Sequence, residues 1–172
     1  AHVDDINGLT KAIDKALDKN GIFIFEVHYL GKIIDEMQYD MIYHEHIYYY
    51  SLLAIENHFS RYAMQVFDIK EVSNHGGSIR FHVCRNNSEF ASESERVINL
   101  RNEELSKGFN DISSFNEFGK KISQQRSNLV DLLQSLKSEG KSIIGYGASG
   151  RANTMLQFCG IDNNLLDYMV DD

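Results

Sequence analysis

The hydrophobic positions repeat first with a helical period and then change to strand-like runs. Ile6, Leu9, Ile13, Ala16 and Leu17 share one face of a helix expected over 4–20, with Asn20-Gly21 as its C-terminal stop. Residues 21–27 form a short run of β-branched and aromatic side chains, the composition of a strand inside a sheet. A helix feeding such a strand reads as the tail of a doubly wound α/β domain whose earlier strands and glycine-rich turn lie upstream. Residues 30–38 predict a short helix. Residues 51–62 predict a longer one, capped by Ser51, with Leu52, Ile55, Phe59 and Tyr62 as its apolar stripe. Two strands, 63–72 and 78–83, flank the turn-rich 73–77 and predict an antiparallel hairpin at the sheet edge.

From Phe90 the chain turns charged and polar with helical periodicity, through 92–109 and 113–139, which places a domain boundary between 89 and 90. The second of these helices carries Ile122, Leu129, Leu133 and Leu136 on one side and ends at Gly140. A strand over 141–145, a glycine turn, a helix to about Cys159 and an apolar run at 165–170 then make a second βαβ unit that stops at Asp172. The expected fold class is α/β. Residues 1–89 form a partial Rossmann-like sheet with an antiparallel hairpin; 90–172 form a helical segment and a second, truncated Rossmann-like unit.

Composition narrows the function. A hydrophobic share of 42% is enough for a packed core. The net charge of −8, with Lys and Arg scattered among more numerous acids, argues against a nucleic-acid surface. No stretch approaches the roughly 20 apolar residues of a membrane helix, and the N-terminus has no signal pattern, so a cytoplasmic location is expected. Cys84 and Cys159 stand alone, which suggests buried, reduced thiols rather than a zinc ribbon or a disulfide framework. With no proline present, Gly and Asn mark the turns.

Tyr43-His-Glu-His46 is the densest cluster of proton-transfer groups, placed between structured segments where a loop can present it to a cleft. A histidine near its ordinary pKa of about 6.5 accepts a proton at neutral pH; a Glu can orient it and a Tyr hydroxyl can bond to a developing oxyanion. A metal site on His44 and His46 would need at least one more ligand at a recognisable spacing, and packing or surface roles are the plainer alternative. Asn74-His-Gly-Gly-Ser78, with Arg80 nearby, offers unobstructed backbone N–H groups for a phosphate or sugar oxygen, or is simply a hairpin turn. Gly145, Gly147 and Gly150 fit G-x-G-x-x-G between an expected strand and helix. No acidic residue follows at the usual distance before Asp171-Asp172, so a structural turn without NAD is as good a reading, with Arg151 and Asn153 placed to touch a phosphate or to stabilise the turn. Tyr48-Tyr49-Tyr50 can stack on a base or sugar or serve packing, and His2 precedes the first helix where α/β clefts form.

Taken in order, Tyr43-His-Glu-His-Ile-Tyr-Tyr-Tyr-Ser51, His75-Gly-Gly-Ser-Ile-Arg80, Gly145-Tyr-Gly-Ala-Ser-Gly-Arg-Ala-Asn-Thr154 and Cys159-Gly-Ile161 resemble the sugar C-methyltransferases of antibiotic and deoxysugar pathways. The opening Ala1-His-Val-Asp4 resembles the family segment after the fourth strand of the methyltransferase sheet. The resemblance implies an enzyme using S-adenosylmethionine, whose zinc belongs to an N-terminal domain and whose cofactor loop is not among these residues. No metal is expected in this chain. The implied substrate is a nucleoside-diphosphate sugar whose 4-keto group acidifies the C-3 proton. His46 would be the base, and the enolate would attack the sulfonium methyl. Tyr43 and Glu45 would bind or polarise the sugar, with His2 near the same pocket. His75, Gly77, Ser78, Arg80, Gly147, Arg151 and Asn153 are the expected substrate contacts. Neither nucleic acid nor membrane is an expected partner, and a homo-oligomer is left open. The alternatives are a nucleotide- or NAD-binding module built on the Gly145 turn, and a non-catalytic interaction domain.

Overall fold

The computed structural model describes all of residues 1–172. Helix α1 (Ile6–Ala16) is started by Asp5, whose Oδ1 accepts the Gly8 N–H at 2.8 Å. It ends at Leu17, three residues before the expected Asn20-Gly21 stop. One face of α1 docks on the third helix through a buried polar contact. Arg61 donates to His58 Nδ1 at 2.9 Å, which leaves His58 Nε2 to donate to Thr10 Oγ1 at 2.7 Å, and the Thr10 hydroxyl donates to Ile6 O at 2.8 Å. Burial, and then the Arg61 charge, lower the His58 pKa and keep the ring neutral.

Strand β1 (Phe23–His28) leads into α2 (Leu30–Asp35), a one-turn 3₁₀ helix at Tyr39–Met41 and α3 (Leu52–Ser60), which is capped by Ser51 as expected. Strands β2 (Met64–Val72) and β3 (Ser78–Arg85) form the expected antiparallel hairpin, and the sheet order is β1-β3-β2. Strand β1 is paired on one side by β3, with Ile24 52% exposed. Its apolar run is explained by helix packing on one face, where Phe23, Phe25 and Val27 pair with Val83, Phe81 and Ile79. A bulge at Phe67 keeps β2 in step: Val66 opposes Val83, Asp68 already opposes His82, and Ile69 returns to the apolar side opposite Phe81. The opposite face is polar, carrying Glu26–Arg80 and Asp68–His82 pairs.

Helix α4 (Glu95–Ser106) lies beyond the expected boundary, yet Val97 and Leu100 enter the same core as Leu52, Ile55, Phe59 and the sheet. Arg101 grips Glu56 of α3 and Glu93 with charge-assisted bonds of 2.6 and 2.7 Å. Glu104 is fully buried beneath α3; its carboxylate accepts the Leu52 and Leu53 N–H groups at 2.7 and 2.9 Å and the Tyr29 hydroxyl at 3.0 Å. It therefore satisfies two of the unpaired donors at the start of α3 from outside that helix.

The long helix α5 (Ile112–Ser138) leads to β4 (Ile144–Tyr146), α6 (Gly150–Cys159) and β5 (Tyr168–Val170), and β4 pairs parallel with β5 as a βαβ unit requires. Asp167 accepts from Lys137, Ser142 and the Ile143 N–H, bonds that hold its carboxyl down at about 2 and fix the entry to β4. Both cysteines are buried and free.

Two glycines of the 145–150 turn have separate structural reasons. Gly147 has φ +94 and donates its N–H to Val170 O at 2.8 Å. At Gly145 a Cβ would run into Met169 Sδ. Gly145→Ala is therefore expected to destabilise the protein by at most about 1 kcal/mol, because the flexible, half-buried Met169 thioether can swing aside. Gly150→Ala, with open space around the added carbon, is expected to be neutral or mildly stabilising. Urea denaturation of the two variants measures the difference.

Candidate functional site

The C-terminal end of β1, the 74–77 turn, the loop from Glu36 to Tyr50, the first four residues and the start of α6 meet in one place. The N-terminal segment is tied to the loop by two bonds: Ile47 N–H to Ala1 O at 3.0 Å and the Tyr48 hydroxyl to Asp4 O at 3.2 Å. That anchoring sets the His2 ring edge-on to the His46 ring, centroids 4.9 Å apart. The Tyr43 hydroxyl lies 3.1 Å from His46 Nε2, and Tyr49 closes the other side of the His46 ring at 5.7 Å. Tyr49 also fixes the loop, since its oxygen accepts the Tyr43 N–H at 3.1 Å while its hydroxyl donates to Met41 O at 3.0 Å.

His46 Nδ1 is buried without a hydrogen-bond partner. Burial lowers the His46 pKa most, His2 adds to the effect, and Glu45 opposes it weakly. The ring is consequently neutral at physiological pH, the state a general base requires. Of the four residues expected to act together, His2, Tyr43 and His46 converge. Glu45, like its neighbour His44, is exposed and has no hydrogen bond to the His46 ring. No three His, Cys, Asp or Glu side chains come together in a way that could hold a metal ion.

The expected substrate contacts divide. His75 is exposed at φ 53 in the turn, and Gly77, at φ +123, lets the backbone pass close to the Lys32 side chain. Ser78 is buried, its hydroxyl spent on Asn74 O at 3.0 Å. Arg80 is committed to Glu26 through bonds of 2.9 and 3.2 Å. With Asn74, Arg80 pulls the Glu26 carboxyl below its ordinary pKa. Arg151, at the first turn of α6, reaches across to Asp40 with bonds of 2.6 and 2.7 Å. Asn153 is exposed and accepts from Gln157 at 3.2 Å, while Gly147 serves the β4–α6 turn. The three tyrosines act in packing and loop anchoring: Tyr48 on the N-terminal segment, Tyr49 on the 41–43 loop, and Tyr50 bridging to Tyr29.

Sequence reasoning missed three residues. His28 ends β1 inside the cluster, its Nε2 3.2 Å from Gln38 Oε1 and its Nδ1 buried without a partner. Burial again lowers its pKa most, and the Arg151, His75 and Asp40 charges all act on it. Its position directly after the 21–27 run is a usable signal, because clefts in α/β sheets form at the carboxyl ends of strands. Gln38 and Asp40 carried no signal, since their partners lie 38 and 111 residues away in sequence.

Fold alone does not fix the chemistry of a histidine–tyrosine cluster at a strand terminus, and comparison with known proteins defines the class. Residues 73–172 match the family described as C-methyltransferase C-terminal domain, and the chain belongs to that family. The matched span holds the 74–77 turn, Arg80 and the whole βαβ unit. The C-methyltransferase NovU of Streptomyces niveus is 28% identical in an alignment covering 99% of this chain, Tyr43–His46 included. The chain spans 40% of the length of that relative.

Proposed function

We propose that the chain supplies the proton-transfer and sugar-binding part of a C-methyltransferase that uses S-adenosylmethionine. Its substrate on this proposal is a nucleoside-diphosphate 4-keto-deoxysugar, methylated at the carbon beside the ketone. The observation that carries it is the neutral His46 ring held between Tyr43 and His2. His46 would take the proton made acidic by the adjacent ketone. Tyr43, in contact with the base, is placed to donate its hydroxyl hydrogen to the enolate oxygen as charge develops there. His2 would shield the base and depress its pKa, and Glu45, at the rim, would contact the sugar. Arg151, through the Nη1 that Asp40 leaves unused, and the backbone N–H groups of His75 and Gly76 are the groups we assign to the diphosphate.

S-adenosylmethionine would supply an electrophilic methyl group. The residues beside His46 offer little to an adenosyl group: Asp40 is paired with Arg151, Glu26 with Arg80, and Glu36 with Lys32 and Gln38, and the one unpaired carboxylate there, the exposed Glu45, is assigned to the sugar. Donor binding is therefore assigned outside this chain. We further propose a division near Phe90, with α4 as the helix that fastens the second unit to the first.

The test is methyl transfer by the product of the whole open reading frame, given S-adenosylmethionine and a panel of nucleotide-linked 4-keto sugars. Tyr43→Phe is expected to lower kcat about 10- to 100-fold with little change in KM, because the lost bond forms chiefly in the transition state. No transfer to any sugar, together with NAD binding, would favour the glycine turn as the functional element instead.

A further inference from the structure

We propose that His28 is a positioning residue of this site, acting through Gln38 to hold the loop that carries Tyr43 and His46. The inference rests on the methyl-transfer reading and adds a residue to it. Gln38 Nε2 donates to Glu36 Oε2 at 2.7 Å and to Gly76 O at 3.0 Å, so its Oε1 must be an acceptor. His28 Nε2 therefore carries the hydrogen that meets Oε1 at 3.2 Å, and Nδ1 carries the lone pair. In this neutral tautomer the His28 Nδ1 lone pair is buried without a donor.

From His28 the bonds continue to the candidate base. The Gln38 backbone oxygen accepts the Met41 N–H at 3.0 Å, shaping the Tyr39–Met41 turn, and Met41 O accepts the Tyr49 hydroxyl, also at 3.0 Å. The Tyr49 oxygen accepts the Tyr43 N–H, and Tyr43 meets His46. The same turn is held from the far side by Arg151 on Asp40, and by Tyr39, whose hydroxyl lies 3.8 Å from Cys159 Sγ. Through Gln38, β1, the 74–77 turn and the base-bearing loop share one anchor. A neutral His28 also keeps a further positive charge away from His46, which would otherwise become a weaker base.

The test compares His28→Leu, His28→Asn and Gln38→Leu with the parent in the protein expressed from its whole open reading frame. Tyr43 amide hydrogen exchange and methyl-transfer kinetics are followed together. With His28→Leu and Gln38→Leu, Tyr43 exchange is expected to speed up at least 10-fold. Their kcat should fall about 10- to 100-fold while KM stays within a few fold and the melting midpoint holds. His28→Asn, which keeps a donor toward Gln38, should recover much of the loss. Parent-like Tyr43 exchange and kcat in both leucine variants would overturn the assignment, even where His46→Asn abolishes transfer. Were His46→Asn itself silent, the methyl-transfer reading would fail, and Tyr43 exchange alone would decide whether His28 positions the loop.

Discussion

Methyl transfer by the His46→Asn protein is expected to fall at least about 100-fold in kcat/KM, with the far-ultraviolet circular dichroism and melting midpoint retained. Asn keeps a polar group near the Tyr43 hydroxyl, 3.1 Å from Nε2 in the parent, but cannot accept a proton at neutral pH. The fold should survive because His46 lies outside both apolar clusters. The pH profile supplies a second check. Burial and His2 lower the His46 pKa, so the neutral base persists to more acidic pH than an ordinary histidine. The acid limb of kcat/KM in the parent should accordingly bend below the reference value of about 6.5. Transfer of labelled methyl to a 4-keto sugar from pH 5 to 8 measures both. An unchanged rate in the variant would exclude His46 as the base.

Glu104→Ala is expected to cost the fold about 3 kcal/mol, the largest stability loss from a single polar side chain here. The carboxylate accepts the Leu52 and Leu53 N–H groups and the Tyr29 hydroxyl in a place closed to water. Truncation would leave all three donors without partners beside the core. Burial raises the Glu104 pKa, outweighing the Leu53, Leu52 and Tyr29 hydrogen bonds that lower it. A carboxyl whose folded pKa lies above its unfolded value binds its proton more tightly in the folded protein. Its contribution is thus complete below the unfolded pKa of about 4.3 and is lost as pH rises through the folded pKa. Urea midpoints of the parent and of Glu104→Gln, measured from pH 4 to 8, test the sign. The parent should lose stability relative to the permanently neutral Gln variant as pH rises, and a gain would show that the three hydrogen bonds outweigh burial.

Much of this architecture is legible in the sequence. The Ser51 cap, the hairpin around 73–77 and the helix ending at Cys159-Gly160 follow from local chemistry: a hydroxyl at an N-cap, glycines with positive φ, and period-two and period-3.6 apolar patterns. The partner of the run at 21–27 was not readable, because its composition reports a buried face and does not report which strand pairs beside it. Within the site, Tyr43 and His46 were legible because three residues of one loop bring them together. His28 was overlooked beside a denser motif.

Local sequence determined which segments are helices and strands, that Gly145 and Gly147 make a strand-to-helix turn, and that Tyr43 and His46 share one loop. These depend on backbone torsions and on neighbours a few residues apart, which sequence spacing encodes directly. Tertiary structure alone decided the neutrality of His46, the commitment of Arg80 to Glu26 and of Arg151 to Asp40, and the use of Glu104 as a cap for a helix 52 residues before it. Those depend on desolvation and on distances between segments remote in sequence. Neither is set until the sheet and its helices pack around one core.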